Sequence, residues 1–255
     1  MSENNLKVTI IIPTLNEIEG MKWFMPKLKK EWYDELIVVD GHSTDGTVEY
    51  CRENNYPLIF QTGKRLSNAY DNAYSYSTKD IIVTVTPDGS SLPELIPELI
   101  AKIREGYDMV IASRYLGPAK SLDDDMFTGF GNRMFTGMIN FLFGGHYTDS
   151  LVAFRAYRRN AINRMVLYGQ DRQLWLKKKF ADMNSWETAS SIRAAKFKLK
   201  VFEIPGDEPR RIGGVRKLSI VKNGSGTLFQ ILHEFLTGCS FLKDFSGSDK
   251  LGGKR

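Results

Sequence analysis

The chain has 255 residues, 35 basic against 30 acidic side chains for a net charge of +5, and two cysteines, Cys51 and Cys239. That length allows one good core with at most a short appendage, and two widely spaced cysteines exclude a disulfide framework or a zinc knuckle. No secretory leader is visible and no apolar run nears the roughly 18 residues that cross a bilayer, so the expectation is a cytoplasmic protein that at most rests on a membrane surface. Basic residues thicken after Arg155, which points to an anionic partner such as phosphate or acidic lipid, and no recognisable nucleic-acid module is present.

Val8 to Ile12 is a compact apolar run ended by Pro13, the pattern of a buried strand, and a helix over Glu19–Lys30 follows. The intervening PTLNE lacks the G-x-G-x-x-G spacing of a dinucleotide fold, so its backbone and the Asn16 and Glu17 side chains have to meet a ligand another way. Leu36–Val39 reads as a second buried strand. Asp40 at its end is placed to accept hydrogen bonds from a base or ribose, and Ser43, Thr44 and Asp45 offer caps to a helix beginning near Thr47. The same segment also suits a plain strand-to-helix turn. Leu58–Gln61 is a third short strand. Lys64 and Arg65 then precede a helix over Leu66–Ser77, either as phosphate-binding cations at a helix N-terminus or as a solvated surface pair.

Ile81–Thr86 is β-branched and apolar and stops at Pro87 and Gly89, so Asp88 projects from the strand's carboxyl end into a loop before a helix over Pro93–Glu105. In an open α/β sheet ligands sit beyond the strand carboxyl ends, where a lone Asp can hold a divalent cation against phosphate oxygens; Asp-Gly is also ordinary turn chemistry. Met109–Ala112 supplies a further strand ending in SRY. Strand and helix alternate at short spacing, which predicts a mostly parallel sheet with right-handed crossovers and its ligand loops on one edge. Pro13, Asp40, Lys64, Asp88 and Arg114 all fall on that edge.

Asp123 to Asp125 read as a solvated acidic loop. The Met- and Phe-rich stretch Met126–Phe143 is either a core helix or, with its interior glycines, an adaptable surface for a greasy ligand. Asp149 precedes a strand in which Arg155 and Arg158 recur, Trp186 to Lys196 is a helix, and Lys200–Ile204 is a final strand ended by Pro205. RRIGGVRKL gathers Arg210, Arg211, Arg216 and Lys217 around a Gly pair, as a basic loop that closes over phosphates or as a plain surface loop. Beyond it Leu228, Ile231, Leu232, Phe235 and Leu236 fit one helical face, suited to a membrane surface or a partner, and SGSDKLGGKR reads as a disordered tail.

The ordered series TIIIPTLNE, ELIVVDGHSTDGT, TPDGSSLPELI and VIASRYL resembles the family 2 glycosyltransferases. DSLVAFRAYRRNAI, VFEIP and RRIGGVRKL are most similar to the dolichol- or polyprenyl-phosphate sugar transferase branch, and the match runs from about Val8 to about Leu218. The resemblance implies an α/β fold of the GT-A type, Rossmann-like, with a mostly parallel central sheet flanked by helices and a C-terminal helical extension. It implies a glycosyltransferase domain over 1–218, with a nucleotide-sugar half at about 6–116 and an acceptor half at about 117–218, followed by 219–255 as an amphipathic helix and tail.

The activity implied is inverting transfer of a hexosyl unit from a GDP- or UDP-linked sugar to a polyprenyl phosphate, with Mg2+ or Mn2+ as cofactor. A saccharide hydroxyl in a glycan as acceptor, and a non-catalytic nucleotide-sugar-binding module, are the alternatives. By position, Pro13, Asn16, Glu17 and Asp40 are the implied nucleoside contacts, Lys64 and Thr86 lie with the nucleotide-sugar, and Asp88 is the implied metal ligand. Asp88, Asp149 and Arg114 are the implied catalytic set, Asp149 serving as base for a hydroxyl acceptor; Arg133, Arg155, Arg210, Arg211 and Lys217 are implied for the acceptor or its phosphate. One departure stands out. Where the family has Asp-x-Asp this chain has Thr86-Pro87-Asp88, and a hydroxyl brings no charge, so metal affinity should be weaker.

Overall fold

The computed structural model describes residues 3–168, 185–213 and 220–239. Its centre is a seven-stranded sheet in the order β3-β2-β1-β4-β6-β5-β7, formed by β1 (Val8–Thr14), β2 (Glu35–Asp40), β3 (Leu58–Phe60), β4 (Ile81–Thr84), β5 (Met109–Ser113), β6 (Arg155–Arg158) and β7 (Val201–Pro205). All neighbours pair in parallel except β6, which runs antiparallel to both β4 and β5. The expected mostly parallel α/β sheet is therefore present, with one reversed strand wedged into its second half.

β1, β2, β4 and β5 are mostly apolar because both faces of the sheet are covered there. Successive residues of β1 point to opposite sides: Ile11 enters a core with Tyr70, Met109 and Trp186, while Ile10 and Ile12 enter a second core with Phe24, Ile96 and Ile103. Pro13, expected as a turn residue at the ligand edge, lies inside β1 and is buried. Alternation points its missing N–H to the same side as Ile11, toward β4, whose ladder has already ended at Ile11 and Thr84, so no hydrogen bond is lost.

The helices are α1 (Ile18–Phe24), α2 (Thr47–Glu53), α3 (Leu66–Tyr76), α4 (Ile96–Arg104), α5 (Met126–Phe143), α6 (Arg159–Arg164), α7 (Trp186–Lys196) and α8 (Ile220–Thr237). Two are shorter than the apolar pattern predicts, and a proline accounts for each. Pro26 cannot donate to a preceding turn, so α1 gives way to a 3-10 turn over Met25–Lys27. Pro97 sits in the first turn of α4, which starts at Ile96 after a 3-10 turn at Pro93–Leu95.

α8 packs on α5 and α7 through Gln230, Ile231 and Glu234, all buried. Glu234 accepts from Arg193 at 2.8 Å and from Lys196 at 2.7 Å, and the Gln230 and Ser185 groups bond each other. These polar anchors turn the helix so that, of the five apolar residues expected on one face, only Ile231 is buried. Among the described residues no helix is long and apolar enough to cross a membrane.

Candidate active site

Four loops leave the carboxyl ends of the parallel strands on one edge of the sheet, and the first two are stitched to each other. Asn16, held at φ 51°, donates its N–H to Ser43 Oγ at 2.8 Å, and its side-chain oxygen accepts the N–H of Thr44 at 2.8 Å. The N–H of Glu17 reaches Thr47 Oγ1 at 3.1 Å, and that of Ile18 reaches Asp45 at 3.0 Å. Burial alone would raise the Asp45 pKa, but donors from Thr47 and Ile18 hold it below the ordinary value.

Asp40, expected as a nucleoside contact, is fully buried beneath this seam. Its oxygens accept from Ser43 N–H at 2.7 Å, Ser43 Oγ at 2.5 Å and Thr14 Oγ1 at 3.0 Å. These bonds fix the carboxylate within the loop and leave Oδ1, which accepts a single bond, one further acceptor position. Asn16 and Glu17 lie partly exposed on top, and Lys64 is exposed after β3.

The Asp88 loop is braced from below. A Cβ on Gly20 in α1 would meet the carbonyl oxygen of Pro87 at 2.4 Å and the Asp88 Cα at 2.9 Å, so only glycine lets the helix backbone touch this loop. Gly89 takes φ 84°, which swings the chain round and leaves Asp88 at the cleft with its carboxylate nearly buried. One carboxylate oxygen accepts from Ser90 N–H at 3.1 Å, Ser90 Oγ at 2.6 Å and Thr86 Oγ1 at 3.4 Å, and the other faces Arg211 at 3.4 Å.

These donors bear on the metal. The side chains gathered here are oxygen donors of the hard kind, one carboxylate with the Thr86, Ser90 and Ser91 hydroxyls. Among the described residues no three His, Cys, Asp or Glu side chains surround one point. The set fits Mg2+ or Mn2+ bound through a single carboxylate and completed by water and phosphate oxygens, and it does not fit an all-protein cage.

Arg114, implied for the catalytic set, is turned inward. Its Nε and NH2 reach the two Asp149 oxygens at 2.6 and 3.0 Å, and NH1 reaches Glu208 at 3.3 Å and Asp124 at 3.7 Å. Asp149 is fully buried and also accepts backbone N–H groups of Arg114, Leu151 and Val152. Burial would raise its pKa, but Arg114 and those donors hold it below the usual carboxylate value. A buried carboxylate with every lone pair engaged and a depressed pKa is a poor proton acceptor, so the structure speaks against the expected base role.

Arg155 is the second correction. Expected at an acceptor phosphate, it is fully buried in β6: Nε and NH2 donate to Val152 O and Ser150 O, each at 2.7 Å, and NH1 lies 2.9 to 3.2 Å from Glu187 O, Ser190 Oγ and Ser191 Oγ. Alternation along a strand could not tell which face is inside. Arg133 is exposed on α5 and stacks over Tyr115 at 5.6 Å, and Arg210 is exposed beyond β7. Lys217, with Arg216 and the C-terminal tail, lies outside the described residues.

Sequence reasoning also passed over residues that the fold brings in. Asp123, read as part of a solvated loop, accepts from Arg211 at 3.0 Å beside Asp88. Asp124 accepts from Asn132 at 3.0 Å and from Tyr115 OH, tying α5 to the end of β5. Glu208 accepts from Ser121 and Arg114, and burial pushes its carboxyl above the ordinary value despite that arginine. Their signal in the sequence was only a count of acids near a count of arginines.

A sequence model of Glycosyl transferase family 2 matches residues 9–166. Over 172 residues the chain is 28% identical to an undecaprenyl-phosphate 4-deoxy-4-formamido-L-arabinose transferase of Proteus mirabilis, covering 63% of this chain and 51% of that one. Over 123 residues it is 34% identical to a dolichol-phosphate mannosyltransferase of Pyrococcus furiosus, covering 45% and 35%. The matched segments thus span about half and about a third of these relatives. The fold is similar to that of glucosyl-3-phosphoglycerate synthase from Mycobacterium tuberculosis in complex with Mn2+, UDP and phosphoglyceric acid: TM-score 0.63 at 16% identity, over 92% of this chain and 79% of that one.

Proposed function

Since the chain belongs to glycosyl transferase family 2, we propose that it moves a hexosyl unit from a GDP- or UDP-linked sugar to a polyprenyl phosphate at a membrane surface, with inversion at the anomeric carbon. The observation that carries the lipid side of this reading is α5. The helix is tied to the cleft through Asn132 and Asp124 and on its outer face leaves Phe127 78%, Phe130 69% and Phe141 87% exposed. Aromatic stripes of this size on a water-soluble surface mark a greasy partner. The names of the two lipid-phosphate relatives point the same way.

In this reading the stitched loops around Asn16 and Glu17 receive the nucleoside, and Asp88 with Thr86 and Ser90 would hold Mg2+ or Mn2+ against the diphosphate. The ion, when bound, neutralises charge on the departing nucleotide. Arg210 and Arg211 stand beyond β7 for phosphate oxygens, and Arg133 for the acceptor. A phosphate acceptor is anionic at neutral pH and needs no strong base, which agrees with an Asp149 engaged on all sides; a saccharide hydroxyl would need one. The protein's task is then to position two phosphates around one anomeric carbon.

The test is incubation with labelled GDP- and UDP-sugars and a polyprenyl phosphate, followed by organic extraction. Label is expected in the organic phase, and Asp88→Asn is expected to lower its appearance about a hundredfold or more while the thermal midpoint stays within a few degrees. Label confined to the aqueous phase ends the lipid reading.

A further inference from the structure

Arg211 enters the cleft from the segment after β7, whose course is set by backbone bonds. Gly206 N–H reaches Ser113 O at 2.9 Å, the Glu208 and Leu122 N–H groups reach Lys120 O and Glu208 O at 2.9 and 2.8 Å, and Ile212 N–H reaches the carbonyl of Asp88 at 2.7 Å. The Ile212 side chain lies where a Cβ on Gly89 would be, 2.7 Å away, so the residue after Asp88 has to be glycine for this segment to close down on it. The segment thereby sets a guanidinium between two carboxylates. Arg211 NH2 is 3.4 Å from Asp88 and 3.0 Å from Asp123, Nε is 3.3 Å from Asp123, and the Arg211 N–H is 3.4 Å from the other Asp123 oxygen.

We propose that Arg211 is a built-in counter-cation that occupies Asp88 before the donor binds and exchanges it for the divalent ion, turning to phosphate oxygens as it leaves. The proposal rests on the metal-dependent reading above. With threonine at position 86 the Asp-x-Asp position carries one negative charge, and Arg211, shared with Asp123, balances only part of it, which leaves the site attractive to a second cation. The contact to Asp88 is longer than the roughly 2.7–2.9 Å of a strong charge-assisted bond, and the Arg211 side chain is a quarter exposed, so it is an exchangeable pair and not a fixed one. Arg114 is the contrast: its pair with Asp149 is bidentate, buried and as short as 2.6 Å, and cannot be lent to a ligand. An incoming metal and diphosphate bring charges of both signs. Exchange pairs the metal with Asp88 and frees a planar fork whose geometry matches phosphate.

The experiment reads Mn2+ binding by electron paramagnetic resonance, on the full chain, for wild type, Arg211→Gln, Arg211→Met and Arg211→Lys. Without nucleotide, Gln and Met remove the competing charge, and Mn2+ should bind about three- to fivefold tighter, the scale of a partly exposed ion pair; Lys keeps the charge and should stay near wild type. With UDP or GDP present the sign reverses, and Gln and Met should bind the Mn2+-nucleotide about fivefold more weakly. Circular dichroism checks that each variant folds, and Met keeps the aliphatic packing should Gln fail. Unchanged or weaker Mn2+ binding by both neutral variants without nucleotide overturns the counter-cation role alone. Wild type that binds no Mn2+ with or without nucleotide overturns both this and the metal-dependent function.

Discussion

Asp149 and Arg114 form a buried, bidentate pair, with Glu208 and Asp124 on the remaining guanidinium nitrogen. Breaking it leaves a buried cation with too little negative charge, which costs about 3–5 kcal/mol, so Asp149→Asn should lower stability by about that amount in urea titrations. The pH dependence follows from the depressed pKa. The contribution of Asp149 is complete above its ordinary 3.8 and is lost as pH falls through the lower folded value. The stability gap between wild type and Asp149→Asn should therefore be flat from neutral pH to about pH 5 and close only in stronger acid. A gap that widened as pH fell from 7 to 5 would mean that the folded carboxylate takes up a proton above its ordinary 3.8 and is available as a base after all.

Two elements carry the site on their own geometry. α1 touches the Asp88 loop through the bare backbone at Gly20, where an added methyl would lie 2.4 Å from Pro87 O. Gly20→Ala should cost about 1–3 kcal/mol through overpacking and, by pushing the loop away, weaken Mn2+-nucleotide binding about tenfold, measured by calorimetry. α8 is held by charge where its pattern promised grease: Glu234 is buried against Arg193 and Lys196. Glu234→Ala strands both cations and should cost about 3 kcal/mol by the urea midpoint, whereas Leu236→Ala, at a side chain 82% exposed, should cost under about 0.5 kcal/mol.

For the whole molecule, the polar docking of α8 has a consequence at the surface. With Glu234 and Gln230 facing in, Leu228, Leu232, Phe235 and Leu236 face out, next to α5 with its exposed Phe127, Phe130 and Phe141. Each such side chain buried in a lipid interface stabilises binding by about 1.5–3 kcal/mol. The chain should accordingly cosediment with anionic lipid vesicles, and changing Phe127, Phe130, Phe141 and Leu236 to Ser together should reduce that partition at least about tenfold with the fold intact. Equal partition of both proteins would remove the membrane surface from the proposed function.

What could be learned from the chain alone follows what is local. Mostly apolar runs such as Val8–Ile12 and Ile81–Val83 disclosed the parallel sheet, because a strand covered on both faces is apolar at most of its positions. The ordered motifs at the strand ends disclosed the family. The partners of the charged residues were decided only by the tertiary structure. Arg155 and Arg211 look alike as letters, yet one is sealed in β6 by five acceptors and the other lies between Asp88 and Asp123. An ion pair joins residues far apart in the chain, 88 with 211 or 114 with 149, and which face of a strand or helix turns inward depends on what packs against it. Sequence spacing carries no record of that, and contacts of this kind set the direction of the buried Arg114, Asp149 and Arg155 side chains.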